Sequence, residues 1–123
     1  MNPETIMIDE QKYVRADCVK EKAEKMNGME YVCIRSYDSG CHCGYLKYES
    51  EDSRKVILIK ARRLWYWSGA SSLSQLAMDG VKNPNDCKFP CEVDEITITK
   101  ICEIIKMTDK AKKSIQGVSI WKS

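Results

Sequence analysis

The chain has 123 residues, and 20 Lys and Arg against 18 Asp and Glu give it a formal net charge of +2. A chain of this length forms one domain of ordinary size without help from a disulfide or a metal. The balanced charge argues against binding to long nucleic acid along a track of phosphates. No apolar run approaches bilayer length and no secretion signal is evident, so we expect a cytoplasmic protein that does not contact membranes.

The first 27 residues predict a hairpin followed by a charged surface helix over 18–26, which the pair Asn27-Gly28 would end. Residues 28–123 carry the stronger periodic patterns and predict the core of sheet and helices. We therefore expect a single domain over residues 1–123, with the hairpin and the surface helix at its amino-terminal end.

Three strands are predicted in the first half of the core. Residues 31–36 alternate, with Val32 and Ile34 on one face, and should pair as a hairpin with residues 45–48 across a loop over 37–44. Residues 55–67 form a long pattern that is apolar on both faces, which is typical of a central strand.

The later elements are predicted from caps and composition. A helix should begin at Ser71 or Ser72 and end at Gly80. The remaining elements are a loop over 81–90, one strand over 95–107, a helix over 108–115 and a last strand over 118–121. This order predicts an α+β fold, a largely antiparallel β-sheet with two or three short helices packed on it.

A segment rich in arginine and tryptophan is the strongest candidate for a binding site. Strand alternation would place Arg63, Trp65 and Trp67 on one face and Arg62 on the other. A guanidinium beside two indoles suits a flat, aromatic, negatively charged ligand, and the helix start near Ser71 could support a phosphate. Aromatic residues beside Leu and Ile belong more often to a core, but two adjacent arginines on an apolar strand need partners on both faces.

The loop over 81–90 adds the amides of Asn83 and Asn85, the cation Lys88 and the chain's single phenylalanine, Phe89. Amides can hydrogen-bond a base edge and a phenyl ring can stack on a base, although turn formation is the more common role of Asn-Pro-Asn. The lysines of the last helix predict a solvated face.

The seven cysteines are an odd number and favour free thiols, with Cys33 and Cys102 among apolar residues as small core side chains. The segment 41–43 and the pair Cys87 and Cys91 could ligate zinc if their loops met, but the spacing is unusual for zinc, so we predict no metal site. No nucleophile motif surrounds the only histidine, His42, and the glycines form no phosphate-binding loop. We therefore predict neither catalytic residues nor a cofactor.

Four segments together resemble a family of small phage and prophage proteins that includes the first type of Thoeris anti-defence sponges. The segments are Tyr13-Val14-Arg15, residues 35–40, residues 61–77 and Cys87-Lys88-Phe89, and the specific marker is Arg-Arg-Leu-Trp-Tyr-Trp-x-Gly-Ala-x-x-Leu-Ser-Gln-Leu-Ala. The resemblance implies a homo-oligomer in the host cytoplasm that sequesters a cyclic nucleotide immune signal, glyco-cyclic ADP-ribose, without cutting it. Related sponges are also thought to hold cyclic trinucleotides.

Our hypothesis for the site is that one arginine of the pair binds the pyrophosphate and one aromatic ring stacks on adenine. The alternative function is a small protein-interaction module, with or without zinc, and the second alternative is a nucleotide-processing enzyme. The candidate ligand-binding residues are Arg35, Arg62, Arg63, Trp65, Trp67, Ser71, Asn83, Asn85, Lys88 and Phe89.

Overall fold

The computed structural model describes residues 21–121 and contains a five-stranded antiparallel sheet with two α-helices packed on it. This arrangement confirms the predicted α+β fold. Within the described chain, no helix is both long and apolar enough to cross a membrane. The elements in chain order are β1 Tyr31–Ser36, β2 Gly40–Glu49, β3 Lys55–Leu64, α1 Leu73–Asp79, a 3₁₀ turn Pro84–Asp86, β4 Val93–Thr99, β5 Ile101–Lys106 and α2 Asp109–Gln116.

The sheet is strongly curled because its two edge strands are neighbours in sequence. The strand order is β4-β3-β2-β1-β5, and a single residue, Lys100, separates β4 from β5. In a flat sheet of five strands the two edges would lie about 19 Å apart, which one residue cannot bridge. Lys100 adopts a left-handed backbone with φ of 58° at this corner.

Curling gives the sheet a concave side and a side covered by the helices, each with its own apolar core. The concave cluster joins β1, β3 and β4 and contains Val32, Ile34, Val56, Leu58, Ala61 and Ile98. The helix-side cluster packs Leu76 and Ala77 of α1 and Ala111 and Ile115 of α2 with sheet residues that include Tyr31, Cys33, Cys43, Tyr45 and Leu64. Burial of these side chains supplies the main driving force for the fold.

The strongly patterned elements agree with the sequence. β1 spans the predicted residues and pairs with β2 as a hairpin. The side chain of Ser72 caps α1 by accepting a hydrogen bond from the amide of Gln75 at 3.1 Å, and Gly80 ends that helix with φ of 79°. Thr108 caps α2 in the same way through the amide of Ala111.

The amino-terminal helix is contradicted over its described part. Residues 21–26 are not helical, and Lys22 bridges to Thr108 instead. Asn27 and Gly28 both have positive φ and form a two-residue turn between Met26 and Met29, a role that asparagine followed by glycine favours. The predicted hairpin and the start of that helix lie outside the described residues.

Three other boundaries were wrong. β2 begins at Gly40, so that most of the predicted loop is strand paired with β1. The predicted strand over 95–107 is divided at Lys100 into β4 and β5, which pair with different strands. The predicted strand over 118–121 is reduced to a single bridge between Phe89 and Ile120.

Candidate functional site

A β-bulge near the middle of β3 decides which way each arginine points. Lys60 adopts a φ of 53°, and the register with β2 shifts at this position. Leu58 and Ala61 both belong to the concave cluster, although side chains three residues apart lie on opposite faces of a regular strand. The bulge therefore sends Arg62 to the helix side and Arg63 to the opposite side, as the sequence predicted for the pair.

Arg62 is buried, and its guanidinium group is hydrogen-bonded inside the protein. Its guanidinium donates hydrogen bonds from Nε to the carbonyl of Pro90 at 3.0 Å, from Nη1 to Ile115 at 2.8 Å and from Nη2 to Phe89 at 3.1 Å. The same group lies 5.5 Å from the centroid of the Phe89 ring, which is completely buried. Burial lowers the pKa of Arg62 because it disfavours the charged form.

These contacts correct two of the predicted ligand contacts. Each of the three guanidinium nitrogens of Arg62 donates to a backbone carbonyl, and Phe89 presents no face to solvent. Arg62 ties the loop that carries Phe89 and the end of α2 to β3, and we leave both residues out of the candidate site. Arg63, in contrast, is exposed and donates one hydrogen bond from Nη1 to the carbonyl of Ser39 at 2.9 Å.

A group of three aromatic rings and one lysine lies just beyond the end of β3, and all but the half-buried Trp121 are exposed. We call this group the aromatic cluster, and it consists of Trp65, Tyr66, Lys88 and Trp121. The ammonium of Lys88 lies 5.7 Å from the ring centroid of Trp65, 6.0 Å from that of Tyr66 and 5.6 Å from that of Trp121. These distances are typical of cation–π interactions. The two indoles are in contact, with centroids 4.8 Å apart and planes tilted by 43°.

Backbone hydrogen bonds hold the aromatic cluster in place. The amide of Lys88 donates to the carbonyl of Tyr66 at 2.7 Å, and the amide of Tyr66 donates back at 3.3 Å. The amide of Trp121 donates to the carbonyl of Phe89 at 2.9 Å. Trp65 and Tyr66 nevertheless remain 61% and 54% exposed, so the cluster is ordered by its backbone and open to a ligand.

The other predicted contacts are dispersed. Trp67 is half-buried against the helix-side cluster, and Arg35 is exposed on β1 and pairs with Glu103 at 3.4 Å. The Nδ2 of Asn83 donates to the hydroxyl of Ser68 at 3.1 Å, while Asn85 is exposed in the 3₁₀ turn. A role in ligand binding stays a prediction for these four residues.

The predicted phosphate support at the start of α1 stays a prediction, although the polar side chains there are already hydrogen-bonded. The amide and hydroxyl of Ser71 both donate to Oε1 of Gln75, at 2.9 Å and 2.7 Å, and Ser72 accepts from the amide of Gln75. The side chains of this first turn satisfy one another. Because α1 has only seven residues, its dipole offers a phosphate little beyond these occupied groups.

The segment 41–43 places its three side chains alternately on the two sides of the sheet. Cys43 packs in the helix-side cluster, and burial raises its pKa. Burial also raises the pKa of Cys41 to about 11, so that this thiol is protonated at neutral pH. Over residues 21–121, no three His, Cys, Asp or Glu side chains are placed to hold a metal. Cys102, expected in the core, is exposed instead.

His42 is a buried polar residue without a hydrogen-bond partner. It lies opposite Ile34 on β1 and opposite Arg63 on β3, and neither of its ring nitrogens contacts a donor or acceptor in the described chain. Burial, together with the charge of Arg63, lowers the pKa of His42 to about 4. The imidazole is therefore neutral at physiological pH.

Two members of the aromatic cluster were missed from the sequence. Strand alternation would put Tyr66 on the face opposite Trp65, but the strand ends at Leu64 and the alternation no longer applies. Trp121 comes from the other end of the described chain, and a tryptophan near a terminus was the only local signal for it.

One protein family model, described as a domain of unknown function (DUF6948), matches residues 29–115, which is more than half of the chain. The matched region contains every strand and helix except Gln116, the last residue of α2, and it contains three of the four residues of the aromatic cluster but not Trp121. Neither a curated protein nor a solved structure matches the chain.

Proposed function

The chain belongs to the DUF6948 family, a domain of unknown function, and from this starting point we propose that it binds and sequesters a small anionic nucleotide at the aromatic cluster. The ligand we propose is a cyclic nucleotide immune signal of the cyclic ADP-ribose type, glyco-cyclic ADP-ribose, with cyclic trinucleotides as related candidates. By lowering the free concentration of this signal, the protein blocks an antiphage defence. It does so without chemical change to the ligand.

The observation that carries the proposal is the position of the Lys88 ammonium among three rings. The exposed face of Trp65 can stack on a purine, and stacking on an aromatic side chain contributes about 1–3 kcal/mol per base. The ammonium supplies a positive charge beside that face, which a phosphate requires. Arg63 is a second exposed cation, two residues before Trp65.

Sequestration requires binding and enough copies of the protein, but no group that transfers protons. His42, the chain's only histidine, is enclosed, and its low pKa makes it a weak base at neutral pH. This supports a binding protein over a nucleotide-processing enzyme. Intact ligand recovered after heat denaturation of the complex is the expected result, and a converted product would favour the enzyme.

We further propose that the protein works as a homo-oligomer in the cytoplasm, the host cytoplasm if a phage encodes it. The exposed side chain of Ile120 lies next to Trp121 in sequence and adds apolar surface beside the cluster. An exposed apolar surface of this kind also suits the second candidate, a protein-interaction module that docks a partner through its aromatic rings.

Calorimetry of the full chain with glyco-cyclic ADP-ribose tests the proposal. We expect Trp65→Ala and Lys88→Gln each to weaken binding by about tenfold or more, because one removes a stacking face and the other the adjacent charge. Tyr48→Ala and Lys47→Gln are the matched controls, since both residues are exposed near the far end of β2.

The outcomes separate the candidates. Absence of binding by the folded wild-type chain would overturn the nucleotide proposal and leave the interaction module. Equal losses in the cluster variants and the controls would place the ligand elsewhere on the protein.

A further inference from the structure

A cavity of about 580 Å³ lies at the corner where β4 turns into β5, a volume within the range of small-molecule sites. We call it the corner cavity. It is formed by the turn between β2 and β3, the residue after β1 and the corner itself. The lining residues that matter for its chemistry are Tyr37, Asp52, Arg54, Lys55, Thr99 and Lys100.

Three cations line the corner cavity, and two of them have no ion pair in the described part of the chain. Lys100 pairs with Asp38 at 2.8 Å. The carboxylate of Asp52 accepts hydrogen bonds from the hydroxyl of Ser50 and the amide of Arg54, at 2.6 Å and 3.1 Å. Within residues 21–121, the side chains of Arg54 and Lys55 therefore keep their donors for a ligand.

An aromatic ring completes the lining. Tyr37 is 85% exposed, although it is anchored through its amide, which donates to the carbonyl of Lys100 at 3.2 Å. The amide of Ile101 donates to the carbonyl of Arg54 at 3.1 Å. These two bonds tie the three segments together, so the cavity is formed before any ligand arrives.

We propose that the corner cavity binds a small phosphorylated aromatic molecule, one that carries a phosphate and a ring within reach of each other. Arg54 pairs with two phosphate oxygens, since a guanidinium matches a phosphate bidentately, and Lys55 adds a point charge. Tyr37 stacks on the ring. A dianion is favoured over a neutral ring because the cations outnumber the single lining carboxylate.

This site is separate from the aromatic cluster. Arg54 and Lys55 stand at the start of β3 and Trp65 stands just beyond its end, ten residues of strand away. A strand of that length spans roughly 30 Å. A ligand of this size in one site does not reach the other, so each proposal can fail without the other.

Two-dimensional amide NMR of the full chain with phenyl phosphate as the probe tests the inference. We expect a group of shifts at residues 37, 52–55 and 99–101, and the dissociation constant of the corner cavity is read from these residues alone. Arg54→Gln should weaken binding at least tenfold, because the phosphate loses its bidentate partner. Tyr37→Ala should weaken binding severalfold, and Trp65→Ala should leave it unchanged.

Arg35→Gln is the matched control, since Arg35 is also an exposed arginine but does not line the corner cavity. If Arg35→Gln and Arg54→Gln weakened phenyl phosphate binding equally, the binding would reflect general charge attraction, and the proposal would be overturned. So would shifts spread over the whole surface, shifts restricted to the aromatic cluster, or no shifts at millimolar probe. Arg54 makes no side-chain hydrogen bond in the described chain, so we expect Arg54→Gln to fold, and its amide spectrum reports this directly.

Discussion

Arg62 and Arg63 are neighbours in sequence with opposite surroundings. Arg62 donates to three backbone carbonyls inside the protein, whereas Arg63 makes one hydrogen bond at the surface. A buried guanidinium remains tolerable only when its donors are satisfied. The three carbonyls belong to the loop after α1 and to α2, so Arg62 connects β3 to both.

Arg62→Ala should lower the free energy of unfolding by about 2–4 kcal/mol, because it removes three hydrogen bonds to backbone carbonyls and opens a cavity. Arg63→Ala is the matched control and should change it by less than about 1 kcal/mol. Urea denaturation followed by circular dichroism measures both. Similar values for the two variants would contradict the structural role of Arg62.

We expect the buried His42 to make the folded state less stable in acid. Its pKa of about 4 in the folded chain lies below the ordinary value of 6.5, so the unfolded chain binds the proton more readily. The folded state therefore loses stability as the pH falls through 6.5, and the loss levels off near pH 4. The expected contribution is about 3 kcal/mol.

The measurement is the difference in unfolding free energy between wild type and His42→Leu from pH 7.5 to pH 4. Carboxylate titrations are common to both proteins and cancel in the difference. We expect wild type to lose stability relative to His42→Leu over this range. A constant difference would show that His42 titrates normally in the folded chain.

Two short irregularities shape the strands. After the bulge at Lys60, the side chains of β3 switch to the opposite face of the sheet. The left-handed corner at Lys100 divides the apolar segment 95–107 into two strands, which lie at the two edges of the sheet. Neither position is a glycine or asparagine, the residues that usually mark such a backbone. This is why the sequence predicted one continuous strand at each place.

Lys60→Gly should raise the free energy of unfolding by about 0.5–1 kcal/mol, because glycine adopts a positive φ without steric cost. Thr97→Gly, at an exposed and regularly paired position inside β4, should lower it by about the same amount. Thermal and urea unfolding of both variants provide the test. If Lys60→Gly were as destabilising as Thr97→Gly, the strain at the bulge would be negligible.

At the scale of the whole molecule, the curled sheet brings distant segments together. The aromatic cluster takes residues from the end of β3, the loop after α1 and the described carboxy-terminal end. The corner cavity joins the ends of β1, β2 and β4 with the start of β3. Both surfaces depend on long-range pairings, which local patterns do not specify.

The sequence alone determined the elements that local physics controls. Alternation identified β1, a serine and a threonine identified the starts of the two helices, and the order of the elements predicted the α+β fold. It also determined that Arg62 and Arg63 would need partners on both faces of the strand.

Only the tertiary structure decided which arginine became internal, and which aromatic rings stayed at the surface. Those outcomes depend on a one-residue bulge in β3 and on the packing of Trp121 against Trp65. These two tryptophans are 56 residues apart in the sequence. The free energies involved come from packing and desolvation among remote segments, and these terms exist only once the sheet has curled.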